Sequence, residues 1–190
     1  RMTETLFHRG PDSSGYYIFE NVALGARRLK IIDLQTGDQP VHNEDSTVWV
    51  VYNGEIYNFL DLREMLENRG HRFYTKTDTE VLPHMYEEFG TDMLPRLQGM
   101  FAFALYDQNK KMLLLARDTK GKKPLYYSNA IDSFIFGSEA KAILVHPKFT
   151  RDIDHRALSQ FLAFEFVPSP AAIFSRMRKL EPGQAICVTP

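Results

Sequence analysis

The chain has 190 residues, 44% of them hydrophobic and 13% aromatic, which is enough apolar material for one compact domain and excludes a disordered chain. Its 11 Gly and 10 Pro are an ordinary share, so collagen-like and low-complexity readings fall as well. Lys plus Arg (23) nearly cancels Asp plus Glu (24), and without a positive excess nucleic acid is not an expected partner.

In chain order, the runs Tyr16–Phe19 and Val22–Arg28, broken by Glu20-Asn21, predict a β-hairpin. Val48–Tyr52 is nearly continuously apolar, which predicts a strand covered on both faces. A helix follows: Asn58 is its expected cap, Phe59, Leu62 and Leu66 share a face, and Gly70 closes it. Thr77-Asp78-Thr79-Glu80 has capping-box form before Val81, Leu82, Met85, Tyr86 and Phe89, with Pro83 pushing the regular helix toward its own position. Met100–Tyr106, Met112–Ala116, Leu125–Tyr127 and Phe134–Phe136 predict strands of a second antiparallel sheet, with turns at Asn109-Lys110, Lys120-Gly121 and Asp132-Ser133. Helices over Glu139–Val145 and His155–Ala163, the latter capped by Asp154, precede a last strand, Gln184–Val188. With no repeat and no long linker, the whole reads as one α+β domain with two sheets and helical outer layers.

Single-site patterns mostly fail. One cysteine, Cys187, permits no internal disulfide and points to an intracellular chain. Flanked by Ile186 and Val188, it reads as a small buried core residue rather than a nucleophile. No apolar stretch nears the roughly 18 residues of a membrane span, and Arg1 to Gly10 lack signal-peptide order, so a membrane partner is not expected. The six histidines form neither HxH nor HExxH, so no metal is expected. Lys120-Gly121-Lys122-Lys123 lacks the first glycine and the hydroxyl of a phosphate loop, and no GxGxxG occurs. The basic Arg117–Lys123 segment reads as a solvated turn before a docking surface. Asn53-Gly54-Glu55-Ile56-Tyr57-Asn58 differs: at a strand end it groups an amide, a glycine N–H and a carboxylate, donors suited to an oxyanion, although Asn-Gly is also a turn signal.

With it, six segments stand in one order: His8-Arg9-Gly10-Pro11-Asp12, Arg28 to Asp33, Asn53 to Asn58, Thr77 to Glu80, Gln98 to Ala104, and Arg117-Asp118 with Lys123 to Tyr127. Together they resemble the glutaminase domain of class II glutamine amidotransferases. Val167-Pro168-Ser169-Pro170, Ile173-Phe174 and Lys179 to Gly183 make the chain most similar to the glutamine-dependent asparagine synthetase branch. The resemblance implies an N-terminal nucleophile hydrolase fold, a four-layer α/β/β/α sandwich of two antiparallel sheets over residues 1–190. It implies glutamine as substrate. Arg28 would hold the α-carboxylate, Ile31 and Ile32 would give backbone contacts, Asn53 and Gly54 would form the oxyanion hole, and Glu55 and Asp78 would lie by the α-ammonium.

In such enzymes the nucleophile is an N-terminal cysteine, which would lie upstream of Arg1. The chain therefore reads as a piece that lacks its extreme N-terminus and a downstream ATP-pyrophosphatase synthetase domain, and alone it should not hydrolyse glutamine. No cofactor is expected in this domain; ATP and Mg belong to the synthetase domain, its expected partner in the same polypeptide, and a homodimer is compatible. The resemblance implies aspartate or a related carboxylate as the ammonia acceptor and, because its nucleophile becomes N-terminal by methionine removal, a cytoplasmic setting. A paralogue amidating another acceptor, and a catalytically dead domain kept for binding or assembly, stay open beside that reading.

Overall fold

Residues 1–30 and 35–190 are described by a computed structural model. Strands β1 (Ser13–Phe19) and β2 (Val22–Arg28) form the expected hairpin, in register from Ser13 opposite Arg28 to Phe19 opposite Val22. A five-stranded antiparallel sheet is built from β3 (Val41–His42), β4 (Val48–Ile56), β5 (Gly99–Asp107), β6 (Met112–Arg117) and β10 (Ala185–Val188), in the order β10-β6-β5-β4-β3. Strands β7 (Tyr126–Ser128), β8 (Ile135–Gly137) and β9 (Arg178–Lys179) form a three-stranded sheet, ordered β8-β7-β9.

The expected grouping of strands is corrected here. β5 and β6 do not open a second sheet: β5 pairs with β4 along its whole length, Val48 opposite Asp107 through Ile56 opposite Gly99. The physical reason lies in their composition, since these strands are apolar on both faces and are covered on both. Phe101, Phe103 and Leu105 of β5 enter one apolar cluster with Leu62 and Leu66 of helix α1 (Phe59–Asn68) and Leu82 and Met85 of α2 (Val81–Phe89). Ala102, Ala104 and Tyr106 alternate into another, with Tyr17, Leu24 and Ala26 of the hairpin and Leu125 and Leu180. Full burial of a side chain such as Leu105 or Leu114 contributes about 1.5–3 kcal/mol. A third cluster joins Ile135 of β8 to Ile143 of helix α3 (Ala140–Leu144) and to Phe149 and Met177. The layers thus run from α1 and α2, through the five-stranded sheet, to a layer made of the β1-β2 hairpin and the three-stranded sheet, and then to α3.

Local signals fared unequally. Helix α4 (His155–Phe164) is capped as expected, Asp154 accepting from the N–H groups of Arg156 and Ala157. Asn58 does not cap α1 but accepts from Gln98 N–H and donates to Arg96 C=O, tying the helix start to the strand β5. Thr77 to Glu80 form no capping box; Asp78–Glu80 is a 3-10 turn, and Glu80 accepts instead from the N–H groups of Tyr74 and Thr75 and from the Thr75 hydroxyl. Helix α2 starts at Val81, so Pro83 sits in its first turn, where its missing N–H costs nothing. Cys187 is exposed, not buried: period two turns Ile186 and Val188 of edge strand β10 toward the second cluster and Cys187 to the opposite face. Among the described residues no helix is long and apolar enough to cross a membrane.

Candidate functional site

A cavity of about 790 Å³ lies against the five-stranded sheet and is lined by both β2 and β8. Arg28, Asn53, Gly54, Glu55 and Asp78 all face it. Ile31 and Ile32, the remaining expected contacts, lie outside the described residues.

Arg28 ends β2 and is only 8% exposed, so it is no ordinary surface charge. The segment His8 to Asp12 fixes that strand end. Asp12 N–H donates to Arg28 C=O at 3.1 Å, and the Asp12 carboxylate accepts from Lys30 N–H at 2.8 Å. Gly10 lets the two segments approach, because a Cβ there would stand 2.5 Å from Arg28 N. Arg28 Nη1 donates to Asp38 at 3.1 Å. The Ser13 hydroxyl, with Arg28 and Lys30, holds the Asp38 carboxyl below its usual range. Gly37 is squeezed between two parts of the site: an added Cβ would lie 2.1 Å from Thr77 Cγ2 and 2.5 Å from Arg28 Nη2.

The Asn-Gly pair proves to be no turn. Both residues lie within β4, Asn53 opposite Ala102 and Gly54 opposite Phe101. Side-chain alternation sends Asn53 and Glu55, with Val51, to the cavity side of the sheet. Asn53 Nδ2 is buried with no hydrogen-bond partner, an expensive state for an amide donor unless something else occupies the cavity. Phe101 turns its backbone to Asp118, accepting from Asp118 N–H at 2.8 Å and donating to its carboxylate. Gly54 N–H therefore points to the other edge of β4, where Tyr52 N–H meets Gln39 Oε1 at 2.7 Å and Ile56 N–H meets Asp78 Oδ2 at 2.9 Å. Only glycine fits at that point, since a Cβ would lie 2.2 Å from Met100 C=O.

Asp78 is 5% exposed and sits in the 3-10 turn that Glu80 anchors. Tyr52 Oη donates to Asp78 Oδ2 at 2.8 Å, the same oxygen that takes Ile56 N–H. Burial raises the Asp78 pKa, and the Ile56 N–H and the Tyr52 hydroxyl work against that rise. Burial, with the Asp78 charge second, pushes the Tyr52 hydroxyl far above its ordinary range, so it stays protonated and donating. Glu55 is exposed at the mouth.

Sequence reasoning missed Tyr52, Gln39 and Gly37. Period two puts Tyr52 on the opposite face of β4 from Asn53, so no motif marks it, and it joins the site through its hydroxyl on Asp78. The Arg117–Lys123 segment is more than a solvated turn: its hydrogen bonds build a clamp. Asp118, 1% exposed, accepts from the N–H groups of Lys120, Lys122 and Lys123, while Arg117 donates to Lys123, Gly121 and Leu180 C=O.

The chain matches the family model described as a glutamine amidotransferase domain over residues 1–189. It is 44% identical over 190 residues to asparagine synthetase [glutamine-hydrolyzing] 1 of Bacillus subtilis (strain 168), covering all of this chain and 30% of that protein. With asparagine synthetase [glutamine-hydrolyzing] 2 of Arabidopsis thaliana it shares 48% over 143 residues, 75% of this chain and 24% of the relative. The chain therefore spans under a third of the length of these relatives. Among solved structures it is similar to the glutamine phosphoribosylpyrophosphate amidotransferase from B. subtilis, with TM-score 0.54 and 28% identity over 65% of this chain and 29% of that one. A structure titled as the allosteric regulatory enzyme of purine biosynthesis shares the fold, with TM-score 0.59 and 23% identity over 88% of this chain and 33% of that one.

Proposed function

The chain belongs to the glutamine amidotransferase domain family, and from that premise we propose that it is the glutaminase part of an asparagine synthetase-like enzyme. Glutamine enters the cavity with its α-carboxylate on Arg28 and its α-ammonium on Asp78, whose fixed opposite charges select an amino acid zwitterion. The amide carbonyl oxygen then meets Asn53 Nδ2 and Gly54 N–H. A cysteine thiolate supplied from upstream of Arg1 attacks the amide carbon, and the electron pair of the C=O moves onto the oxygen held by those two donors. Collapse of that oxyanion breaks the C–N bond, the proton that the cysteine's own α-amino group took from the thiol goes to the leaving nitrogen, and ammonia departs from a glutamyl thioester. Water hydrolyses the thioester to glutamate and restores the thiol.

The observation that carries this reading is the buried, unpartnered Asn53 Nδ2 in a cavity that also holds Arg28 and Asp78. Between β2 and β8, each paired on one edge only among the described residues, the cavity offers a place for the upstream strand that would bring the cysteine. The relatives' names, asparagine synthetase [glutamine-hydrolyzing], favour aspartate as the ammonia acceptor. That amidation would use ATP and Mg in the remainder of the polypeptide, in the cytoplasm, as the resemblance implies. The test is glutamine turnover by the full-length protein, with its N-terminus sequenced. Release of glutamate and ammonia in equal amounts from a chain starting with cysteine supports the reading. A chain lacking that cysteine, or one that has it and leaves glutamine intact, would sink it and favour a domain kept for binding or assembly.

A further inference from the structure

Away from the cavity, the fold gathers two imidazoles and two carboxylates from three separate segments. Glu44 follows β3, His71 follows α1, and His84 and Glu87 lie one turn apart on α2. One donor atom from each lies within 4.8 Å of all the others. Both imidazoles present the same nitrogen: His84 Nδ1 is 3.2 Å from Glu44 Oε2 and 3.3 Å from Glu87 Oε2, and His71 Nδ1 is 3.1 Å from Glu44 Oε1. We propose that Glu44, His71, His84 and Glu87 form a binding site for a divalent transition-metal ion of the zinc type.

The surroundings are those that metal ligands require. A ligating histidine usually points its second nitrogen at a carboxylate, which fixes the tautomer and the ring. His71 Nε2 faces Glu88 Oε1 at 3.2 Å, and His84 Nε2 faces Glu80 Oε1 at 3.8 Å. His84 is fully buried and its Nε2 has no hydrogen-bond partner; a metal on Nδ1 would place the ring proton on Nε2, aimed at Glu80. The carboxylates are also held from outside. Arg72 N–H donates to Glu44 Oε1 at 2.8 Å, and Asn43 Nδ2 donates to Glu87 Oε1 at 2.8 Å. Two nitrogens and two oxygens suit tetrahedral zinc at about 2.0–2.2 Å from each donor, so the four groups need close by only about an ångström. Glu44 and Glu87 are about a third exposed, which leaves an entry path. Four carboxylates surround the two imidazoles, and Arg69 offsets only Glu88. The rival occupant is a proton: although burial opposes it, Glu80, Glu87 and Glu44 raise the His84 pKa to about 9.

The experiment titrates Zn²⁺ alone into chelator-stripped full-length protein, measures bound metal after dialysis, and records the visible spectrum with Co²⁺ in its place. One metal per chain is expected, with the Co²⁺ bands of a four-coordinate nitrogen and oxygen site and none of the charge-transfer absorption that a thiolate ligand would add. His71→Asn and Glu87→Gln, both outside the glutamine site, should each weaken uptake at least tenfold while leaving glutamine turnover unchanged. Should one variant fail to fold, the other gives the same reading. No stoichiometric uptake by the unaltered protein, or equal uptake by the variants, overturns the site and leaves a histidinium held among carboxylates.

Discussion

Asn53→Ala in the full-length protein separates catalysis from stability, because the two effects have opposite signs. Asn53 Nδ2 is a buried donor with no partner, a state that costs a fold about 1–3 kcal/mol. Its removal relieves that cost, set against the packing lost from a half-buried amide, so the net change in stability is near zero or favourable. For a domain of this size each kcal/mol is worth about 2–4 °C, and the melting temperature should hold or rise by a few degrees. In the proposed reaction the same donor would meet charge that develops on the glutamine oxygen, and losing one such donor raises the barrier by about 2.7–4 kcal/mol, or 100- to 1,000-fold in kcat. KM for glutamine should change little, since Arg28 and Asp78 keep their places. The assay is steady-state glutamate release beside a thermal melt of the same preparation. A fall in kcat of less than tenfold, or a loss of activity that tracks a drop of several degrees in melting temperature, would refute the oxyanion role.

Gly54→Ala should lower both stability and turnover, since its Cβ would stand 2.2 Å from Met100 C=O and force β4 from β5 at about 1–3 kcal/mol; an unshifted melting temperature would contradict that spacing. Asp78 has its pKa raised by burial, so the folded state takes up a proton at a pH where the unfolded chain has released it, and KM for glutamine should climb as pH falls through that raised value. Asp78→Asn keeps an acceptor for Tyr52 and Ile56, so it should raise KM and abolish the acid limb, whereas a KM profile shared with the unaltered enzyme would exclude Asp78 as the ammonium partner. For Asp118 the shift is opposite: despite burial, the N–H groups of Lys122, Lys123, Lys120 and Phe101 lower its pKa, so its stabilisation is present above the unfolded value and is lost as pH falls through the folded one. Asp118→Asn sets an amide N–H against those donors and should cost about 1–3 kcal/mol in a melt near neutral pH, the gap closing in acid; a gap independent of pH would assign the loss to packing alone.

What the sequence revealed and what it hid divide along the range of the interactions involved. The hairpin of β1 and β2, the apolar strands and the Asp154 cap are set by neighbours a few residues away, and period and cap chemistry found them. Pairing of β4 with β5 closes a long loop through two helices, and an apolar run says only that a strand is covered, not which strand lies beside it. Asn58 and Glu80 look like local caps because short-range grammar sees only their spacing, yet both spend their hydrogen bonds elsewhere, Asn58 on the segment entering β5 and Glu80 on the turn before α2. The cavity residues were legible through ordered motifs, while Tyr52 and Gly37 act by touching those residues from other segments and leave no local pattern. The same blindness applied to His71 and His84. Expecting no metal rested on the absence of HxH and HExxH, which are rules for ligands on one strand or one helix. Here α1 delivers His71 to the side of α2 while Glu44 arrives from the sheet edge, so the donor set exists only once the helical layer has packed on β3 and β4. Glu80 lies in the same 3-10 turn as Asp78, so one three-residue segment carries both the carboxylate that backs His84 and the one that faces the cavity, which no reading of either motif alone would have joined.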